Sequence, residues 1–189
     1  MRGRFITFEG GDGAGKTTQI ELLADALARA GQTPLVTREP GGTKLAEEIR
    51  DWVLHHASSM DAETEVLLMF AARSHHTREV IEPALESGRW VLCDRYTDAS
   101  YAYQGGGRGL PYSLIASLEK IATGGLNPDL TILLDLTIDA SIQRTGGRGT
   151  NQDRFESEES AFKERVRAAY QHIAAPDTER VVNLDASHT

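Results

Sequence analysis

Residues 10–17, Gly10-Gly11-Asp12-Gly13-Ala14-Gly15-Lys16-Thr17, constrain this chain more than any other stretch. The apolar run Phe5-Ile6-Thr7-Phe8 precedes them and a helical pattern follows. That is the strand–loop–helix setting which a Gly-x4-Gly-Lys-Thr phosphate loop requires. Its glycines let successive backbone N–H groups turn inward on phosphate oxygens, at a helix N-terminus that already favours anions. The cradle is expected to run from Gly10, Gly11, Asp12, Gly13, Ala14 and Gly15 to Lys16, Thr17 and Thr18. Lys16 would reach the β- and γ-phosphates of a nucleoside triphosphate, and the Thr17 hydroxyl would bind Mg²⁺. The alternative, a chance glycine turn ahead of a helix, has this placement against it.

The rest of the chain alternates short β-rich runs with longer helical patterns. The predicted strands are Phe5–Glu9, Pro34–Arg38, Trp90–Asp94, Leu130–Asp135 and Arg180–Leu184, several of them near-continuous apolar runs. Strands of that kind are buried on both faces, so the fold class is α/β, a three-layer α/β/α phosphate-loop NTPase with a five-stranded parallel sheet. Phe162, Val166, Ala169 and Ile173 give the segment from Glu159 to Ala174 one apolar face. Leu114, Leu118 and Ile121 do the same for a helix opened by Pro111, and a third helical pattern runs from about Ala62 to Leu85 with Pro83 limiting its last turn. Two glycine-rich stretches, Gly105–Gly109 and Gly146–Gly149, read as ligand-contacting loops beside this scaffold. At 189 residues the chain is expected to form a single domain.

Composition excludes several classes. Acidic residues number 28 against 20 basic, a net charge of −8, so the basic surplus that nucleic-acid binding demands is missing. The basic set is 16 Arg and 4 Lys, and arginine's planar fork of donors suits phosphate oxygens. Base composition of the genome explains that bias equally well until the arginines are located. No run approaches the roughly 20 apolar residues of a membrane span, and Met1-Arg2-Gly3-Arg4 leads through four residues to Glu9, too soon for a signal-peptide core. Cys93 is the sole cysteine, which rules out an internal disulfide. A cytoplasmic protein with no nucleic-acid or membrane partner is expected.

Guanine-specific GTPases normally carry Asn-Lys-x-Asp, and the nearest string here, Asn127-Pro128-Asp129, does not match. The chain is too short and too acidic for a helicase-type motor, which leaves a small kinase. Trp90-Val91-Leu92-Cys93-Asp94 is an apolar strand ending in a carboxylate, where phosphate-loop enzymes keep the acid that helps hold Mg²⁺. A strand-end salt bridge is the other reading of Asp94. Arg95 follows at the strand's carboxyl end, the usual ligand crevice of open α/β sheets.

Phe8-Glu9-Gly10, the phosphate loop with Lys16-Thr17-Thr18-Gln19, Thr37-Arg38-Glu39-Pro40-Gly41-Gly42-Thr43, Asp94-Arg95-Tyr96 and Ala102-Tyr103-Gln104-Gly105-Gly106-Gly107-Arg108-Gly109 together resemble the bacterial thymidylate kinases in order and spacing. The resemblance covers residues 4 to about 187. It implies one nucleoside monophosphate kinase domain over residues 1–189, with a lid at about 144–156. The implied reaction moves the γ-phosphoryl group of ATP to dTMP with Mg²⁺; another nucleoside monophosphate or a deoxynucleoside is the alternative acceptor. A homodimer is implied as well.

Carried over by position, Arg38 and Arg95 would bind the acceptor's 5′-phosphate, which agrees with the need for cations between two anionic phosphates. Asp12 would contact the deoxyribose 3′-hydroxyl, or else only stabilise its loop. Phe70 and Arg73, three apart on one helix face, correspond to a Phe that stacks on thymine and an Arg that hydrogen-bonds its O4. Many members space these two by four, and a core Phe is the alternative. Tyr103 would crowd the 2′ position and disfavour ribonucleotides, with Gln104 and Ser100 close to the base. Arg144, Arg148 and Arg154, around the second glycine-rich stretch, resemble lid arginines that act with Lys16 and Arg95 on the transferring phosphoryl group; a solvated basic loop is the bland reading. Members of the family commonly build the adenine pocket near the last strand and the lid and run on into another helix, whereas this sequence ends at Asp185-Ala186-Ser187-His188-Thr189. The adjacent pairs His55-His56 and His75-His76 point in different directions on a helix and read as structural or surface residues. A nucleotide-binding regulatory protein without turnover is the reading from outside the enzymes.

Overall fold

A computed structural model describes residues 1–56, 60–145 and 153–188. Five strands, β1 (Phe5–Glu9), β2 (Leu35–Arg38), β3 (Val91–Asp94), β4 (Leu130–Asp135) and β5 (Val181–Asp185), form one sheet in the order β2-β3-β1-β4-β5, and every pairing is parallel. The predicted strands agree with these to within one residue. All five residues of β1 are buried, as a central strand covered on both faces must be.

The pleat sends alternate β1 side chains to opposite faces. Ile6 and Phe8 pack with Ile20 of α1 (Lys16–Arg29). Phe5 instead packs with Ile81, Leu85 and Tyr96, and Glu9 shares its side of the sheet. Burying side chains of this size contributes roughly 1.5–3 kcal/mol each. Because β3 and β4 flank β1 on opposite sides, the crevice at the carboxyl end of β1 is the switch point where open α/β sheets bind ligands.

α2 (Lys44–Asp51) opens at Thr43, whose hydroxyl accepts the Ala46 N–H at 3.1 Å. α3 (Ala62–His76) opens at Asp61, whose carboxylate accepts the Thr64 N–H at 2.7 Å. Each cap satisfies an amide that the helix itself leaves orphaned. The long pattern predicted from Ala62 to Leu85 divides into α3, a wider π-helical stretch Thr77–Ile81, and α4 (Glu82–Glu86). These three run on without a break, so Pro83 lies in the last turn of one long helical stretch that ends at Glu86, close to the expected end at Leu85.

Two expectations are corrected. α5 (Thr97–Ser100) runs into a second π-helical stretch, Tyr101–Gly107, so most of the first glycine-rich stretch is helical rather than a ligand loop. Its glycines serve close packing on α8 (Ser160–Ala174): a Cβ on Gly106 would stand 2.4 Å from Ala169 Cβ, and one on Gly107 2.5 Å from the Phe162 ring. In α6 (Tyr112–Thr123) the inward residues are Ile115 and Ala122, with the predicted Leu118 packed against them, while Leu114 and Ile121 are exposed. Periodicity located the apolar stripe but not which side of it the core takes. α7 (Ile138–Thr145) lies between β4 and the undescribed residues 146–152. Among the described residues no helix is long and apolar enough to cross a membrane.

Candidate active site

Gly15 caps α1 in the left-handed conformation at φ 91°, and Gly10 and Gly13 also have positive φ. Gly10 is confined twice over, because a Cβ there would meet the Leu134 carbonyl oxygen at 2.3 Å. The loop curls back on Lys16, whose Nζ donates to the carbonyls of Gly10 at 3.3 Å and Gly11 at 3.1 Å. Burial and the neighbouring Arg95 push the Lys16 ammonium down to about 8, against the pull of Asp94, Asp12 and Glu9. A site that holds a cation this uncomfortably gains when an anion arrives. Thr17 and Thr18 are exposed at the mouth of the loop.

Arg95 sits at φ 69°, the one non-glycine residue with positive φ among the described residues. Its Nη1 donates to the Gly10 carbonyl at 2.8 Å and to the Tyr170 hydroxyl at 3.1 Å, and its Nη2 to Asp12 Oδ1 at 2.8 Å. Burial works against the Asp12 carboxylate, but Arg95 and Lys16 outweigh it and hold its pKa below the ordinary value. The Arg95 guanidinium also lies 4.9 Å above the Tyr103 ring, within reach of a cation–π contact. Phosphate loop and β3 are thus fastened together through one arginine.

A cavity of about 100 Å³ opens beside this pair, lined by Asp12, Met69, Arg73, Arg95, Ser100, Tyr103 and Gln104 among others. Arg73 is buried and donates Nε to Glu39 at 2.6 Å, Nη1 to Ser100 Oγ at 2.9 Å and Nη2 to the Tyr96 carbonyl at 2.8 Å. Glu39 also meets His76 Nδ1 at 3.0 Å, and His76 Nε2 meets the Thr37 hydroxyl at 2.8 Å. His76 is thus a buried structural residue, while His55 is exposed beside Asp51. Gln104 donates to the buried Glu65 at 2.8 Å.

Several predicted residues stand elsewhere. Phe70 is buried with Val66, Leu110 and Ile115, its ring 4.6 Å from the Arg73 guanidinium, and does not line the cavity. Met69, four residues before Arg73, takes the wall position instead, because a single helical step turns a side chain by about 100°. Arg38 is exposed and donates Nη2 to Glu47 at 2.9 Å. Arg154 is drawn to Glu65 at 2.8 Å and donates to the Met60 carbonyl at 3.1 Å. Arg144 lies by the phosphate loop, its Nη1 3.4 Å from the Gly13 carbonyl. Arg148 and Gly146–Gly149 lie outside the described residues.

Asp94 Oδ1 is buried without a hydrogen-bond partner, which leaves a charge-bearing atom open for a cation. Among the described residues no cluster of three or more His, Cys, Asp and Glu could hold a metal. The Asp94 oxygen fits an ion such as Mg²⁺, which takes one or two protein oxygens and completes its shell with water and phosphate.

Two residues escaped sequence reading, one on the cavity's wall and one buried behind Arg95. Arg50, from the carboxyl end of α2, donates to the Pro40 carbonyl at 2.9 Å and lines the same cavity. Glu9, at the end of β1, accepts the Tyr96 N–H at 2.7 Å and the Tyr170 hydroxyl at 2.8 Å. Burial and Asp98 push the Glu9 carboxyl up to about 8, against Arg95 and its two hydrogen bonds. Position in the motif Phe8-Glu9-Gly10 was the only available signal for Glu9.

A larger cavity of about 300 Å³ starts from Gly10, Gly11 and Asp12 and runs between α7 and α8. It shares Asp12, Tyr103 and Phe155 with the smaller one, so the phosphate loop and the arginine-lined pocket adjoin. Comparison with known proteins finds relatives along nearly the whole chain. The thymidylate kinase family model matches residues 8–189. A thymidylate kinase of Pseudomonas fluorescens is 53% identical over 99% of this chain and 89% of its own length, and that of Paraburkholderia xenovorans 52% over 100% and 92%. The crystal structure of thymidylate kinase from Ehrlichia chaffeensis superposes with a TM-score of 0.82 at 34% identity, covering 97% of this chain and 93% of that one. With its phosphate loop, its parallel sheet and these relatives along nearly its full length, the chain belongs to the thymidylate kinase family.

Proposed function

We propose that this protein transfers the γ-phosphoryl group of ATP to the 5′-phosphate of dTMP, giving dTDP and ADP. The observation that carries the reading is Arg95, which joins the phosphate loop at Gly10 and Asp12 to the pocket that also holds Arg73 and Ser100. A donor phosphate in the loop and an acceptor phosphate in the pocket would both lie beside its guanidinium.

The attacking oxygen of a nucleoside monophosphate is already ionised, so no general base is needed. Catalysis then consists of positioning and of cations placed where charge accumulates. Lys16 and Arg95 would be the catalytic cations from the phosphate loop and β3. Arg144, at the loop's flank, and Arg148 and Arg154 would serve with them from the lid, which on this reading spans about 144–156 of a single kinase domain covering residues 1–189. Arg38 would leave Glu47 for the acceptor phosphate. Thr17 and Asp94 are the groups that would hold Mg²⁺, which when bound neutralises charge on the phosphate oxygens.

In the pocket, Arg73 and Ser100 would read the base edge, with Met69 as an apolar wall and Gln104 beside them. Asp12 would contact the sugar 3′-hydroxyl, and the Tyr103 ring would crowd the 2′ position. A homodimer is part of the same reading. α2 packs on α3 and α3 on α6, and Leu67 on α3 and Leu114 and Ile121 on α6 expose large apolar side chains. A cytoplasmic location fits a kinase of small nucleotides.

The test is ADP release from Mg-ATP with dTMP, dUMP, dCMP, dGMP, AMP and thymidine offered separately. Strong turnover with dTMP, weaker with dUMP and near background elsewhere is expected. Preference for another acceptor would keep the kinase and overturn the pocket assignment.

A further inference from the structure

Glu9 is 1% exposed at the end of the central strand, and phosphoryl transfer as described makes no use of it. Its surroundings form a chain. Glu9 Oε2 accepts the Tyr170 hydroxyl at 2.8 Å, and that hydroxyl oxygen accepts Arg95 Nη1 at 3.1 Å. Tyr170 comes from α8, on the far side of the molecule's sequence, and is itself buried. Arg95 has reason to need such support. Its backbone occupies a conformation that costs a non-glycine residue on the order of 1–3 kcal/mol, and a free arginine side chain carries about 2 kcal/mol of rotamer entropy. A guanidinium that must meet a phosphate in one orientation gains if that entropy is already spent before substrate arrives.

We infer that Tyr170 is a positioning residue for the acceptor phosphate: its hydroxyl, oriented by Glu9, holds Nη1 of Arg95 so that the guanidinium faces the pocket before dTMP binds. The inference rests on the proposed placement of Arg95 at that phosphate. The aromatic ring of Tyr170 packs with Phe162, Val166 and Ala169, and this packing is a separate role. Only the hydroxyl belongs to the chain that ends at Arg95, so the two roles separate on a single oxygen atom.

The test is Tyr170→Phe in the full chain, with dTMP and ATP varied independently and thermal unfolding followed in parallel. Loss of a hydrogen bond to a charged group predicts a fall in kcat/KM for dTMP of about ten-fold or more. KM for ATP should stay within about two-fold and the unfolding midpoint within a few degrees, because the ring is retained. In an Arg95→Lys background the same change should add little, since the two residues act as one unit. Glu9→Gln, which keeps an acceptor oxygen for the Tyr170 hydroxyl but cannot ionise, should shift dTMP kinetics in the same direction by less. Wild-type dTMP kinetics in Tyr170→Phe, equal losses for both substrates, or full additivity with Arg95→Lys would each overturn the inference while leaving the kinase reading standing. A wild-type protein that does not turn over dTMP would overturn that reading and the inference with it.

Discussion

Arg73 donates its Nε–H to Glu39 Oε2 at 2.6 Å, and both side chains are buried, 34 residues apart in the chain. The carboxylate has His76 on its other oxygen, so Arg73 is its one permanently cationic partner in that pair of contacts. Arg73→Met would leave a charge buried and poorly compensated, a change that costs about 3–5 kcal/mol. Urea unfolding should show that loss directly, and an unchanged midpoint would mean the pair contributes nothing net.

Arg95→Ala should lower kcat for dTMP by about 10²–10³-fold, the scale of losing one preorganised donor to developing charge. Because Nη1 also holds the Gly10 carbonyl, KM for ATP should rise as well. Far-UV circular dichroism should be unchanged. Turnover near that of the wild type would remove Arg95 from the reaction.

Glu9 supplies a pH signature. Its pKa is raised by burial and Asp98 to about 8 from an ordinary value of 4.5, with Arg95, Tyr170 and the Tyr96 N–H opposing. A carboxyl raised in the folded state binds more protons there than in the unfolded chain, so its contribution is full below about 4.5 and is lost as pH climbs to about 8. The unfolding midpoint of the wild type, taken relative to Glu9→Gln, should therefore fall between pH 5 and pH 8 and level off above. A difference that is flat with pH would contradict the shift.

Met69 and Phe70 should part company on substitution. Met69→Ala should raise KM for dTMP with little loss of stability, because Met69 lines the cavity. Phe70→Ala should cost about 3–5 kcal/mol, the usual range for a buried Phe. Chemical denaturation together with steady-state kinetics separates the two, and the reverse pattern would return Phe70 to the pocket.

Ile121→Lys with Leu67→Lys should convert the proposed homodimer to a monomer in sedimentation equilibrium. Both positions are exposed in the single chain, so the fold itself should persist. A double variant that sediments as the wild type does would place the interface elsewhere.

The parts of this protein that were legible in the sequence are those decided within a dozen residues. Glycine and lysine spacing marked the phosphate loop, and apolar runs marked all five strands to within one residue, because local geometry dictates both. The Asp94-Arg95 step at the end of β3 was readable for the same reason. Where a helix had to choose a side, local pattern failed: Ile121 and Leu114 face outward, and Met69 rather than Phe70 reaches the cavity. A stripe of apolar residues does not say whether a core or another surface will cover it. Only the tertiary structure decided the partners of the buried carboxyl groups. Glu39 with Arg73 and His76, and Glu9 with Tyr170 across 161 residues, are joined because a polar group withdrawn from water must find a hydrogen-bonding partner wherever the fold delivers one, and that delivery is a property of the packed chain rather than of any segment of it.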